Sequence, residues 1–153
     1  MIEPISKLDI DPVFSLMKLN MESYYWKRNE VWNDEKIRGH FLSKQGIVIR
    51  REGEIAGFSF FEIKEARVHI HTLQVSPKFQ NRTLGGHFYK WYRKLSTEIS
   101  ADEITCGVYE DNPARSIYLR MGFDEIEVVE GVVRMSLPLT NTGNGCENHA
   151  PLL

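Results

Sequence analysis

At Gly46 the hydrophobic period of this chain changes from that of a helix to that of a strand, and near Leu84 it changes back. Before the first change, helical spacing dominates. The stretch GIVIRREGEIAGFSFFEI reads as two strands around a turn at Glu52-Gly53, and ARVHIHTLQV reads as a third. In the third strand Val68 and Ile70 share a face with residues 72 and 74, while His69, His71, Leu73 and Val75 share the other. From Leu84 on, Phe88, Trp91, Tyr92, Leu95 and Ile99 recur at helical spacing, the longest and best-defined helix in the sequence. Strands that need a covered face, flanked by helices that need a surface to cover, point to a sheet with helices packed on it.

The remaining segments fill in that frame. A short opening strand in IEPISKLDI precedes a helix with Asp11 as N-cap and Pro12 at its first position. Val13, Leu16, Met17 and Met21 supply that helix with an apolar side. A second helix follows Asn33, with Ile37, Phe41 and Leu42 apolar. DEITCGVYE is a strand, and NPARSIYLRMG is a compact helix with Asn112 as cap, Pro113 at its start and Gly122 past its end. Two closing strands flank Glu130-Gly131. The predicted order is β-α-α-β-β-β-α-β-α-β-β, an α/β (α+β) fold. The 153 residues suffice for one domain and are too few for two ordinary ones. Residues 140–153 show no period and read as a polar tail.

The stretch QNRTLGGHFYKW lies between the end of the third strand and the start of the long helix. Amides at a helix start lack intrahelical partners, and the helix dipole adds partial positive charge, so such a loop can hold a phosphate. Gly85 and Gly86 let backbone approach a ligand, and Arg82 adds a cation, with Lys78 nearby. A tight turn that uses glycine for its geometry explains the same residues. The lysine–hydroxyl pair of a Walker loop is missing, and the glycine spacing is not that of the dinucleotide fingerprint.

Further along, Asn112 stands at a helix start and Tyr118 nearly two turns in. Taken together, these blocks resemble the GNAT superfamily of acetyl-CoA-dependent N-acetyltransferases. The family's loop signature, Gln/Arg-x-x-Gly-x-Gly/Ala, falls on Gln80, Asn81, Arg82, Thr83, Leu84 and Gly85. Its second block falls on Asn112, Ala114, Tyr118, Gly122 and Phe123, and LQVSPKFQ is similar to the strand that leads into the family's loop. The resemblance spans about residues 1–139, read as a single acyltransferase domain, and is most specific over 73–123. It implies a mixed, mostly antiparallel central sheet with helices on both faces. Thr83 departs from it by standing where the family usually has glycine. A β-branched side chain there crowds a diphosphate if φ is positive and is harmless if the backbone is helical or extended.

The resemblance implies acetyl-CoA as cosubstrate, bound by Leu73 and Val75 main chain, by the loop from Gln80 to Gly86, and by Asn112, Ala114 and Tyr118. It implies N-acetylation of a small-molecule or peptide amine in a ternary complex, with Tyr118 as general acid and His69, His71 or Glu62 as base. Each of those three also reads as a solvated polar residue on a half-exposed strand. Tyr25, Trp26 and Trp32 are either core or an aromatic wall for the acceptor. The alternative function is a CoA-binding or ligand-sensing domain without catalysis. His69 and His71 lack a third ligand at metal spacing, so no metal is expected. A net charge of −2 argues against nucleic acid, and no apolar run is long enough to cross a bilayer. The N-terminus has acids early and no apolar h-region, so no signal peptide is expected. Cys106 and Cys146 form no disulfide framework, so a cytoplasmic setting is expected. A homodimer stays open.

Overall fold

A computed structural model describes residues 1–80 and 83–139. The tail assigned to 140–153, with Cys146, and the loop residues Asn81 and Arg82 lie outside the described residues. Among these, the elements run β1 (Ile2–Pro4), α1 (Ile10–Lys27), α2 (Asp34–Leu42), β2 (Gln45–Arg51), β3 (Glu54–Lys64), β4 (Arg67–Val75), α3 (Leu84–Glu98), β5 (Glu103–Tyr109), α4 (Ala114–Arg120), β6 (Asp124–Val129) and β7 (Val132–Pro138). The strands form a seven-stranded sheet in the order β1-β2-β3-β4-β5-β7-β6. The β1–β2, β2–β3, β5–β7 and β6–β7 pairs are antiparallel, and β4–β5 is parallel. The mixed, mostly antiparallel sheet and the element order agree with the sequence reading. The chain divides into two compact units, one of Met1–Phe61 with His71–Leu84, the other of Glu62–Ile70 with the chain from Gly85.

In the first unit, the apolar stripes of α1 and α2 meet β2 and β3. Val13, Phe14, Met17, Trp32, Ile37, Val48, Phe58 and Phe60 form one buried cluster. Phe60 is the hub: its ring lies 5.8 Å from Phe14 and 5.5 Å from Phe41. Complete burial of such a side chain is worth about 2 kcal/mol by area. The turn between β2 and β3 places Glu52 and Gly53 at φ 53° and 78°, the left-handed pair a tight hairpin needs.

Helix α1 starts earlier than its sequence suggests. A 3-10 turn at Lys7–Asp9 runs straight into it, so Asp9 takes the N-cap position in place of Asp11. Pro12 then sits inside the first turn, where a missing N–H leaves no helix bond unmade. Asp9 is buried. Its carboxylate accepts from Ser6 N at 2.8 Å and from Arg50 Nη2 at 2.9 Å. Burial alone raises its pKa, but those hydrogen bonds and the Arg50 charge outweigh it and hold the carboxyl below its ordinary value. Asn33 caps α2 by accepting from Lys36 N at 3.0 Å. Leu42, read as part of the apolar side of α2, is exposed because it ends the helix.

In the second unit, β5 buries Ile104, Cys106 and Val108, and β7 buries Val133, Met135 and Leu137. On α3, Phe88 and Tyr92 are buried one helical turn apart. Ile99, expected on that stripe, follows the helix end and is partly exposed. Strand β6 closes the sheet order, and all of its residues are exposed.

Candidate functional site

In the first unit, the decisive geometry is at the end of β4. Ser76 N donates to Ala56 O at 2.8 Å, so the Val75–Ser76 peptide group points its N–H toward β3. In a trans peptide the C=O points the opposite way, so the Val75 carbonyl faces away from β3. There it accepts from Asn20 Nδ2 of α1 at 3.1 Å and, more weakly, from Gln80 Nε2 at 3.5 Å. Asn20 Nδ2 also donates to Gln74 Oε1 at 3.0 Å, and Gln74 Nε2 donates to Thr72 Oγ1 at 2.8 Å. Sequence reasoning missed Asn20. The available signal was an amide on the inward stripe of α1, one turn beyond Met17.

Beyond β4, Pro77–Phe79 form a 3-10 turn that buries Phe79. Lys78, counted as a cation near the loop, is tied to Glu54, and the carboxylate holds the ammonium pKa above its ordinary value. Gln80 and Thr83 are exposed, and Thr83 lies at φ 60°. That is the left-handed region, which costs a β-branched residue about 1–2 kcal/mol and is the case in which its side chain crowds a diphosphate. Buried Leu84 then begins α3. Leu73 is half-buried, as is His71, whose ring meets His40 of α2 edge-on at 5.5 Å. Tyr25 packs 4.9 Å from Trp32, whose indole Nε1 is buried without a hydrogen-bond partner. Trp26 does not share in this packing burial and is 63% exposed.

In the second unit, the β4–β5 register runs from Arg67↔Glu103 to Ile70↔Cys106. His69 stands opposite Thr105, and His69 Nδ1 lies 2.7 Å from Thr105 Oγ1. Glu62 is half-buried at the end of β3. Gly85 and Gly86 occupy the first turn of α3. Asn112 Oδ1 accepts from Ala114 N at 2.9 Å, so this amide oxygen serves the start of α4. Tyr118 is buried, with its ring 5.2 Å from Phe123 in an edge contact. Burial first, then the neighbouring Cys106 and Tyr92, push its phenol well above the ordinary value. The Cys106 thiol is pushed up to about 12 by burial and is a core residue, not a nucleophile. An open cavity of about 450 Å³ beside α4 is lined by Glu110, Asp111, Asn112, Arg115 and Ser116 but not by Tyr118. Among the described residues, no group of three His, Cys, Asp or Glu could hold a metal ion, and no helix is long and apolar enough to cross a membrane.

The model of the acetyltransferase (GNAT) family matches residues 13–123. No curated protein matches the sequence. Solved structures do match in fold. The PaiA N-acetyltransferase of Thermoplasma acidophilum, crystallised with coenzyme A, superimposes with a TM-score of 0.71 at 14% identity over 91% of this chain and 98% of that one. Ard1 of Thermoplasma volcanium gives 0.75 at 15% identity over 92% and 98%. The ribosomal-protein-alanine N-acetyltransferase of Brucella melitensis gives 0.67 at 14% identity over 91% and 99%.

Proposed function

The chain belongs to the acetyltransferase (GNAT) family, and on that premise we propose that it transfers an acetyl group from acetyl-CoA to a primary amine of a small molecule or peptide, by direct attack in a ternary complex. One observation carries the reading: the Val75–Ser76 peptide turns its carbonyl away from β3, and the register of β4 with β5 has ended at Ile70↔Cys106. Main chain at Leu73 and the Val75 N–H can therefore pair with a ligand as a further strand would. The donor set fits an acyl-CoA, which has amide groups for such pairing and a diphosphate for a helix start. Leu73 and Val75 would hold the pantetheine, and the amides from Thr83 to Gly86 the diphosphate, together with Asn81 and Arg82. Asn112 and Ala114 belong to the same set.

When bound, acetyl-CoA supplies a thioester carbonyl open to attack by a neutral amine. A main-chain N–H of Leu73 or Val75 polarises a carbonyl placed against it. Tyr118 keeps its Oη proton through the neutral range, because its pKa is raised, and can give it to a leaving thiolate. The proton of an incoming ammonium goes to an imidazole nitrogen of His69 or His71, or to the Glu62 carboxylate. Tyr25 and Trp26 would face the acceptor's carbon skeleton, with Trp32 packed in the core against Tyr25. Residues 1–139 would act as one acyltransferase domain, in the cytoplasm, with no metal and with neither nucleic acid nor membrane as partner.

The test is purified protein with acetyl-CoA and a panel of amines, read by release of free thiol, beside a calorimetric titration with CoA. Binding together with thiol release for at least one amine is expected. Binding with no release from any amine would leave the alternative, a CoA-responsive domain without catalysis. No binding at all would overturn both readings.

A further inference from the structure

We propose that Asn20 is a positioning residue for the acyl transfer: from α1 it fixes the peptide plane at the end of β4, and so the direction of the amide that meets the thioester. The proposal rests on the transfer reading given above. The Val75–Ser76 peptide is held at both ends, its N–H by Ala56 O at 2.8 Å and its C=O by Asn20 Nδ2 at 3.1 Å. Without Asn20, its one strong restraint is on the β3 side. A strand end that has left its second neighbour is where a sheet opens first. Held on both sides, the plane cannot rotate, and the extended Val75 N–H shares the outward edge with its own C=O.

The orientation of the clamp is itself fixed. Asn20 Nδ2 meets two oxygens, Val75 O and Gln74 Oε1. Gln74, only 9% exposed, is set in turn by its Nε2 bond to Thr72 Oγ1 at 2.8 Å. Asn20, Gln74 and Thr72 are thus linked in one part-buried network, and such linkage stiffens its surroundings. An asparagine inside a helix is otherwise an unfavourable choice. Leucine would suit this place on the inward stripe of α1; the amide is there for what it bonds.

Asn20→Asp tests this at constant shape, because it replaces the donor with an acceptor facing two other acceptors. Expected is a fall in kcat of about tenfold, the worth of one hydrogen bond, with CoA affinity by calorimetry changed much less. Faster hydrogen exchange at the Ser76 amide in the folded variant should accompany it. A residue that only supports the fold would lower Tm and leave kcat per folded molecule intact, and that result overturns the proposal. So does an equal loss of kcat and CoA affinity. If Asn20→Asp does not fold, Gln74→Met decides: reduced kcat with retained CoA affinity supports the clamp, and wild-type kcat overturns it. A wild-type protein that releases no thiol with any amine overturns the transfer reading itself, which separates that failure from failure of the clamp.

Discussion

Two of the junctions that lead from a strand into a helix, β5–α4 and β4–α3, are built on opposite terms. Between β5 and α4 the chain closes on itself. Asn112 N donates to Tyr109 O at 2.9 Å, Ala114 N to Asn112 Oδ1 at 2.9 Å, and Arg115 N to Asn112 O at 3.0 Å. Folding alone accounts for each of those bonds. Between β4 and α3 the chain instead holds Thr83 in a left-handed backbone, the region a β-branched residue avoids most. The strand end before it is held from outside, by Asn20 of α1. A β-branched residue held at positive φ costs free energy wherever it stands, so its effect on binding is a question for experiment. The first junction closes on its own backbone bonds; the second holds a left-handed threonine beside a strand end clamped from α1.

The largest test of that contrast reaches into α4. Tyr118→Phe keeps the ring and its contact with Phe123 and removes the proton, so kcat should fall by about a hundredfold while CoA affinity holds. Thiol release at fixed CoA saturation measures it, and equal losses in kcat and affinity would remove Tyr118 as the acid. Next in size is Gly85→Val in the first turn of α3. A branched side chain there should weaken CoA binding by about tenfold or more through steric contact, with Tm little changed. Calorimetry that shows unchanged affinity would turn the β4–α3 junction back into an ordinary turn.

The contrast between the junctions was only half legible in the sequence. Periodicity located both, since the strands bury alternate residues and α3 buries Leu84, Phe88 and Tyr92 one turn apart. Gly53 and Gly131 marked the hairpins, and each takes a positive φ. The backbone of Thr83 was not legible, because no residue type announces that it will be forced against its own preference. Asp9 likewise stands at the N-cap position of α1 in place of Asp11, and its carboxylate is bonded to Arg50, a partner distant in sequence that local spacing does not reveal. Asn20 was hidden for the same reason. Its partners are on β4, and only the folded chain shows that a lone helical amide meets the carbonyl of Val75.

Thr83→Gly separates strain from function at the β4–α3 junction. Glycine takes φ 60° without penalty, so the left-handed cost of about 1–2 kcal/mol is relieved, partly offset by glycine's larger loss of backbone entropy. A net gain of about 1 kcal/mol, seen as a rise in Tm, is expected, together with CoA affinity equal to or above that of the wild type. A fall in Tm would mean that the threonine contributes contacts worth more than its strain. At the β5–α4 junction the sign reverses. Asn112→Ala removes a helix-start acceptor and should cost about 1 kcal/mol, measured by denaturant unfolding.

The smallest effect comes from the ion pair flanking the β5–α4 junction. Arg115 of α4 holds Glu125 of β6 with bonds of 2.6 and 3.1 Å. Those bonds first, against a lesser burial penalty, lower the Glu125 carboxyl below its ordinary 4.5. A carboxyl depressed in the folded state binds its proton more readily when unfolded. Its contribution is therefore complete above the unfolded value of 4.5 and is lost as pH falls through the lower, folded value. The pair is exposed to solvent, so the contribution is small and weakens with salt. Thermal melts of the wild type and Glu125→Gln should differ slightly at neutral pH and converge in acid. A difference that grows toward low pH would place the carboxyl in a different role, and the β5–α4 junction would then need something beyond its own backbone bonds to explain it.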